Sequence, residues 1–412
     1  MMLAAIAVSL HALYGNMTDV EAAQSWGLNV FGRLVGRPAS DGEINELNEK
    51  IASGRALEAF EDLTRKTDFV NLTARAFCQP MSTRSERPDV PMNEFTASCM
   101  GAIRDDRPAT ELLAGNFTYE FDRAKVSYDP SVKDPFQRRQ HYDAPEGQDV
   151  NGFDFALSLV RREGQEVPKL PADRFSIAPI TETVPQPEPA GLMTTHTWAR
   201  EHAEGGTNRR LVEYAFREFL CKPIGDFADT TASDHWIGRD ISREPGGNPQ
   251  IFQSSCRGCH SLLDGMRGAF AYTSWGFRGL VSQMPPASAT REVGEKYARN
   301  FEVHPSGYVT RDSSWENLAT TGSNAEFFGW RGATKGVGMT EFGQMLARSR
   351  AFSRCMVVRV VQTVCLRQTT FEDEQALLTP EAEKFEADGY NLRRLFARVA
   401  ARRDCIDPTQ GN

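Results

Sequence analysis

Five residues in the second half of the chain, Cys-Arg-Gly-Cys-His at 256–260, constrain it more than any other feature. The two intervening residues let the thiols of Cys256 and Cys259 face one edge of a porphyrin, and the imidazole of His260 then points back at the iron. Eight cysteines and seven histidines among 412 residues make a chance occurrence of this pattern rare. The motif predicts one covalently attached haem c with His260 as an iron ligand.

Two other interpretations of the motif are a disulfide within a Cys-x-x-Cys turn and half of a zinc site beside an incidental histidine. The sequence has no second Cys-x-x-Cys and no His-x-x-x-His that would complete a zinc site. A redox-active dithiol would also need a βαβ context, and the sequence around the motif shows none. Haem attachment is therefore the favoured interpretation.

Six cysteines remain, an even set in a chain whose cofactor is normally attached outside the cytoplasm. We expect three disulfides and a periplasmic or extracellular location. A single helix through 351–367 would place Cys355 and Cys365 about 15 Å apart along its axis, beyond the roughly 7 Å that a disulfide tolerates. Many other pairings remain open. The preferred set is Cys78 with Cys99, Cys365 with Cys405, and Cys355 with Cys221.

Composition is that of a soluble globular protein, with 40% hydrophobic and 25% charged residues. A formal charge of -8 argues against nucleic acid or an anionic membrane as a partner. It suits a basic redox protein as the partner, either on its own or within a multi-subunit complex. Residues 1–14 contain an apolar run that fits a signal remnant, an anchor or a mature helix. No other stretch is long and apolar enough to span a membrane, so we expect no span in the body of the chain.

Apolar residues recur at spacings of three and four through 19–77, around 207–221 and beyond 340, which predicts a mostly α fold. Ser40 or Asp41 would cap the second helix, and Gly389 and Asn391 would mark a helix end and the next start. We expect a helical N-terminal domain (1–124), an irregular Pro-rich connector (125–191), a cytochrome c-like haem c-binding domain (192–335) and a C-terminal helical bundle (336–412).

Two further features are expected, one near the cofactor and one in the last helices. The segment 225–249 is rich in Asp, Gly and Pro and is predicted to be a loop that wraps the cofactor edge. Arginines of the last helices would form a solvated face or dock an acidic partner. These arginines are Arg393, Arg394, Arg398, Arg402 and Arg403.

The sixth iron position has three possible states: Met284, His304 or open. Met284 precedes two prolines, and Pro285 favours an extended backbone that could project the thioether from a loop. Met284 could equally fill a gap in the core. His304 would give a site with two histidines, whereas Met266 lies too near His260 in sequence and Met339 is expected to pack.

Other side chains are expected to surround the porphyrin. Arg239 and Arg243 could bind the two haem propionates, although ordinary surface arginines remain an equal alternative. His196 and His202 are six residues apart, so they do not share a helix face as metal ligands would. The aromatic residues that could wall the porphyrin, or belong to a generic core, are Trp236, Tyr272, Trp275 and Phe277.

Several further segments, in order, resemble a known family. They are Gly206 to Arg210, Phe219 to Cys221, Arg239 to Ile241, Pro245 to Gly247, Asp264-Gly265, Arg354 to Val360, Asp388 to Tyr390 and Arg393 to Phe396. Together with the motif, they are similar to planctomycete-type cytochrome c domain proteins over about the last 220 residues. The resemblance implies an exported bacterial haem protein with a helical body and tail, and it implies no particular reaction.

Three functions are consistent with one haem. The first is a monohaem c-type cytochrome that carries electrons between periplasmic or cell-surface partners. The second is an interaction or assembly subunit of a larger redox complex with an accessory haem. The third is a haem enzyme, such as a peroxidase or oxygenase, with an open distal site. We expect an electron carrier more than a catalyst, because peroxidases of this type often use two haems and the chain has one motif.

Overall fold

A computed structural model describes residues 19–85, 92–121, 154–163, 165–168, 181–184, 188–203, 208–273, 293 and 303–406. It is mostly helical, which confirms the predicted fold class. The helices are α1 (Asp19–Val35), α2 (Asp41–Ala52), α3 (Ala56–Leu63), α4 (Arg75–Cys78), α5 (Glu94–Arg104), α6 (Glu111–Ala114), α7 (Phe155–Ser158), α8 (His196–Ala203), α9 (Arg209–Leu220), α10 (Pro249–Ile251), α11 (Arg257–Met266), α12 (Gly322–Phe328), α13 (Gly338–Arg348), α14 (Arg350–Val360), α15 (Thr379–Ala387), α16 (Leu392–Ala400) and α17 (Arg403–Ile406).

Several of these helices are joined by π-helical turns, which are Phe69–Ala74 before α4, Phe252–Cys256 before α11, Val361–Cys365 after α14 and Glu374–Leu378 before α15. Short 3-10 turns lie at Pro80–Ser82, Gly191–Thr194, Ile224–Asp226, Pro245–Gly247 and Arg267–Phe270. A π turn widens the helix by one residue per turn and often marks a functional position. The turn at Phe252–Cys256 ends on the first cysteine of the motif.

The start of α2 is capped as its sequence predicts. The Ser40 hydroxyl accepts from the backbone N–H of Glu43, and the Glu43 carboxylate accepts from the backbone N–H of Ser40 at 2.9 Å. This reciprocal arrangement satisfies two N–H groups that a helix start would otherwise leave unpaired. Of the two residues expected to cap this helix, Ser40 is the one that does so.

The first and last helices share one hydrophobic core. Trp26 in α1 donates its indole N–H to the carbonyl of Ala401 at 3.2 Å. The rings of Phe69 and Phe77 meet the Phe396 ring edge to face at 5.2 and 5.3 Å. The predicted division into four segments stays a prediction, but its first and last segments pack directly on one another.

Three two-stranded antiparallel sheets accompany the helices in the described residues. They pair β1 (Phe117–Phe121) with β2 (Leu159–Glu163), β3 (Gln165–Pro168) with β4 (Thr181–Val184), and β5 (Ser314–Glu316) with β6 (Lys335–Val337). Strands β2 to β4 lie in the segment predicted to be an irregular Pro-rich connector, 125–191. Strand β1 was not expected, and all five of its residues are buried.

The expected disulfides are confirmed, at Cys78–Cys99, Cys221–Cys355 and Cys365–Cys405. Cys355 and Cys365 lie on one continuous helical run through α14 and its π turn, so they take different partners, as expected. The bridge between Cys221 and Cys355 joins the end of α9 to α14 across 134 residues of sequence. Helix α9, which leads toward the motif, is thereby fastened to the C-terminal bundle.

The end of α15 and the start of α16 follow the prediction. Gly389 adopts a positive φ of 69° just after α15, a conformation that favours glycine. The Asn391 side chain accepts from the backbone N–H of Arg394 at 3.1 Å and caps α16. None of the helices in the described ranges is long and apolar enough to cross a membrane.

The C-terminal arginines match the expected solvated face only in part: Arg394 and Arg403 are exposed, and the other three are partly buried. Arg398 pairs with Glu381 at 2.8 Å and with Asp388, and its side chain is 12% exposed. Arg393 pairs with Asp106 of the N-terminal segment. Arg394 and Arg402 form further ion pairs, and Arg403 lies over the Trp26 ring. The ion pairs of Arg393 and Arg398 join separate segments of the chain and so help to hold the bundle together.

Candidate functional site

The motif lies where a π turn passes into α11. Cys256 ends the turn, and Cys259 and His260 follow in the first turn of α11. Residues three and four apart in a helix share a face, so both thiols and the imidazole project to one side. Both cysteines are free and partly exposed. The disulfide alternative for this pair is therefore not what the structure shows.

The Cys259 thiol lies near α9. Burial, followed by the carboxylate of Glu213, raises the pKa of this thiol. A raised pKa keeps the Cys259 side chain as a neutral thiol.

The two residues inside the motif attach it to the neighbouring loop. The backbone N–H of Asp229 donates to the carbonyl of Gly258 at 3.2 Å, and a Cβ at Gly258 would lie 3.2 Å from the Thr230 side chain. Arg257 donates to the carbonyl of Ala232 from two nitrogens, at 3.2 and 2.9 Å. The predicted loop of 225–249 thus lies against the motif, and a small residue at 258 permits the close approach.

The Nδ1 atom of the His260 ring faces the interior of the protein. That atom is buried and has no hydrogen-bond partner in the described part of the chain. The carboxylate Oδ1 of Asp264, one helical turn later, lies 3.8 Å from it. The side chain of His260 is 24% exposed, so its exposed surface belongs to atoms other than Nδ1. Nε2 is therefore the nitrogen that could be used for a metal.

Asp264 itself is fully buried and tightly bound. Arg209 at the start of α9 donates to its carboxylate from two nitrogens, one of them 2.7 Å from Oδ2. The backbone N–H of Gly238 donates to the same oxygen at 2.8 Å. Burial acts to raise the pKa of Asp264, but the positive charges of Arg267 and Arg209 outweigh it and hold that pKa well below its usual range. Asp264 is consequently ionised.

A second carboxylate completes this buried cluster. Asp240 accepts from Arg209 at 2.9 Å and lies 3.6 Å from the guanidinium of Arg267. Arg209, Asp240, Asp264 and Arg267 thus form an ionic network of two cations and two anions behind the motif, which we call the proximal network. Three of these residues lie in the segments that carry the family resemblance, but the sequence alone gave them no role. The spacing of four between His260 and Asp264 was the signal that could have found the contact.

The arginines predicted to bind propionates have partners in the loop itself. Arg243 donates to the carbonyls of Ile241 and Ile237, both at 3.0 Å, and its guanidinium lies 4.8 Å from the ring centre of Phe252 in the motif's π turn. Burial lowers the pKa of Arg243. Arg239 donates to the carbonyl of Gly307 at 3.3 Å. Their role toward propionates stays a prediction, and both help to hold the loop.

The structure describes only some of the candidates for the sixth iron ligand. Met284 lies outside the described residues, as do Trp275 and Phe277. His304 is partly buried; its ring nitrogen Nε2 lies 3.2 Å from the Ser306 hydroxyl. Met339 is buried, as expected for a packing residue.

Aromatic residues near the loop form a small cluster. Trp236 donates its indole N–H to the Glu316 carboxylate at 3.0 Å, and its ring lies 4.7 Å from the Tyr308 ring. Tyr272 is partly buried, two residues after the 3-10 turn that follows α11. Glu316 belongs to β5, so this cluster ties the loop to the strand that packs on α11.

His202 is a core residue. Its ring stacks on Tyr214 at 4.0 Å and meets the Trp198 ring edge on at 4.3 Å. Neither ring nitrogen has a hydrogen-bond partner within the described ranges. Burial, with positive charges on Arg84, Arg217 and Arg210, lowers the pKa of His202 to about 2. The backbone of His196 begins the same helix, α8.

Comparison of the chain with protein-family models, with curated proteins and with solved structures found no match. Among the described residues, no group of three or more His, Cys, Asp or Glu side chains is arranged to hold a metal ion. The resemblance to planctomycete-type cytochrome c domain proteins therefore stays a prediction from the sequence.

Proposed function

We propose that the protein is an exported monohaem c-type cytochrome that carries electrons between redox partners. One observation carries the proposal. Cys256 and Cys259 are free and share a helix face with His260, whereas the other six cysteines form three disulfides. A pair of thiols kept out of disulfides in this spacing suits covalent attachment to the two vinyl groups of a porphyrin.

The donor set of the motif, two thiols and one imidazole, suits a haem. Cys256 and Cys259 would bond the macrocycle, and His260 would ligate the iron through Nε2, since its Nδ1 faces Asp264. The bound group would supply one-electron redox chemistry. The chain's own residues fix the thiols and the imidazole on a helix that the loop, β5 and α9 all contact. Packing on several sides keeps these three side chains in a defined arrangement.

The three disulfides favour maturation in an oxidising compartment. Haem c attachment takes place in the same kind of compartment in bacteria, so one location satisfies both requirements. We therefore propose a periplasmic or extracellular protein. Expression of the chain in a haem-attaching periplasm and in a reducing cytoplasm tests this, and oxidised, haem-loaded protein is expected from the periplasm alone.

An absorption spectrum with carbon monoxide distinguishes a carrier from an enzyme. The protein is matured in a haem-attaching periplasm and its spectrum is recorded oxidised and reduced, with and without carbon monoxide. A low-spin spectrum that carbon monoxide does not change indicates two filled axial positions and supports electron transfer. Rapid carbon monoxide binding to a high-spin iron indicates an open position and would replace the carrier by a haem enzyme.

The sixth ligand is tested with two variants of the same protein. We propose Met284 as the ligand, and Met284→Ala should then abolish the low-spin spectrum of the oxidised protein. His304→Ala is the matched variant and should leave that spectrum unchanged. If His304→Ala alone changes the spectrum, the second axial ligand is the histidine and the potential should be lower than a methionine ligand gives.

A further inference from the structure

The buried Nδ1 atom of His260 has no hydrogen-bond partner among the described residues, and a carboxylate lies beside it. Asp264 Oδ1 is 3.8 Å away, too far for a hydrogen bond but within the range of direct charge interaction. Hydrogen bonds of functional groups are often long in a protein without its ligand and shorten when the ligand is bound. A small movement of the imidazole would therefore bring Nδ1 within hydrogen-bond distance of the Asp264 carboxylate.

Asp264 is the fixed member of this pair. Arg209 and the Gly238 N–H hold its two oxygens from α9 and from the loop, and its side chain is 0% exposed. His260 is the adjustable member, because part of its side chain reaches the surface. A fixed carboxylate behind an adjustable imidazole can set both the direction and the tautomer of the ring.

The proximal network has no net charge, so its electrostatic effect on the His260 ring falls off quickly with distance. Its two arginines and two aspartates are formally neutral in sum. The imidazole therefore senses mainly the nearest carboxylate. Asp240 shares Arg209 and Arg267 with Asp264, whereas the His260 ring lies beside Asp264. The chain thus offers a matched control at nearly the same place.

We propose that Asp264 is a positioning residue for the iron-ligating imidazole. It accepts the Nδ1–H of His260, so that Nε2 is left unprotonated for the metal, and it raises the basicity of the ligand. A more basic imidazole stabilises ferric over ferrous iron and lowers the midpoint potential. This inference rests on the proposed haem c function.

The first test measures the midpoint potential of the holoprotein. Asp264→Asn keeps the shape of the side chain and removes its charge, and it should raise the potential and change the iron–histidine vibration of the reduced protein. Asp240→Asn removes the same charge from the other side of Arg209 and should raise the potential less. Equal shifts in the two variants, or no shift in either, would overturn the positioning role.

A second test needs no haem and no Asp264 variant. In the full chain carrying Cys256→Ser and Cys259→Ser, nitrogen NMR of labelled histidine reports the tautomer of neutral His260. The Nδ1–H tautomer is expected, although free imidazole side chains favour Nε2–H. An Nε2–H tautomer would overturn the proposal. If the unsubstituted chain takes up no covalent haem, the proposed function fails, and this tautomer measurement still decides the contact between Asp264 and His260.

Discussion

Glu218 and Arg359 form a buried ion pair of 2.7 Å beside the disulfide that joins α9 to α14. The Arg359 guanidinium also donates to the backbone carbonyl of Glu218 at 2.7 Å. The Glu218 side chain is 0% exposed, so its charge is stabilised by neighbouring cations. The pair and the disulfide together fix α9, whose first residue, Arg209, belongs to the proximal network.

We predict that Arg359→Met lowers the free energy of unfolding by about 3 kcal/mol, because it removes a charge partner from a buried carboxylate. The loss is placed at the lower end of the usual range since Arg217 Nε remains 3.5 Å from Glu218. Arg331→Met is the control: Arg331 pairs with Glu386 at 2.8 Å but is 48% exposed. That control should cost less than about 1 kcal/mol in the same denaturant titration. Similar losses in both variants would contradict the account.

Removing the disulfide between Cys221 and Cys355 should destabilise the protein more than removing Cys78–Cys99. The first closes 134 residues and the second 21. Chain entropy alone gives losses of about 5 and about 3 kcal/mol respectively. Paired Cys→Ser variants compared by thermal unfolding test the order. A larger loss for the shorter loop would show that local packing, and not loop closure, dominates.

His202 should make the protein less stable as the pH falls. The unfolded state takes up a proton at this residue below pH 6.5, whereas the folded state does so only near its pKa of about 2. Stability from the neutral ring is therefore complete above pH 6.5 and is lost between those values, at up to about 1.4 kcal/mol per pH unit. His202→Phe keeps the stack on Tyr214 and removes the proton uptake. The free energy of unfolding of the variant should fall less steeply from about pH 7 to about pH 4.5; equal slopes would refute this.

Two glycine substitutions should have opposite effects. A Cβ at Gly265 in α11 would lie 2.6 Å from the backbone carbonyl oxygen of Glu316 in β5. Gly265→Ala should therefore cost about 1–3 kcal/mol, since backbone must move. A methyl group added at Gly32 in α1 would have no neighbouring atom within 4 Å, so Gly32→Ala should stabilise by about 0.5–1 kcal/mol. Denaturant midpoints measure both, and a stabilised Gly265→Ala protein would show that β5 does not pack closely on α11.

Local signals in the sequence predicted much of this fold. The caps at Ser40 and Asn391 and the helix end at Gly389 depend only on residues a few positions away. Such features can be predicted from the sequence alone. Helix geometry excluded a bridge between Cys355 and Cys365, and the preferred pairing proved correct. The spacing of Cys256, Cys259 and His260 predicted that the two thiols face the same way, but the helix that carries these residues was not predicted.

Contacts between distant residues could not be predicted in the same way. Glu218 and Arg359 are 141 residues apart, and Arg209 and Asp264 are 55 apart. A charged residue in an amphipathic helix resembles a solvated one until its partner is known. Strand β1 was missed for a related reason, because its pairing with β2 depends on residues about 40 positions away.

The measurement that tests the central claim most directly is intact and peptide mass analysis of denatured protein matured in a haem-attaching periplasm. The account predicts a mass increase of one haem that survives denaturation and maps to the peptide containing Cys256 and Cys259. The double variant Cys256→Ser/Cys259→Ser should lose it, and the matched variant Cys78→Ser/Cys99→Ser should retain it. A chain that carries no covalent haem, or one that keeps it without Cys256 and Cys259, would contradict the account.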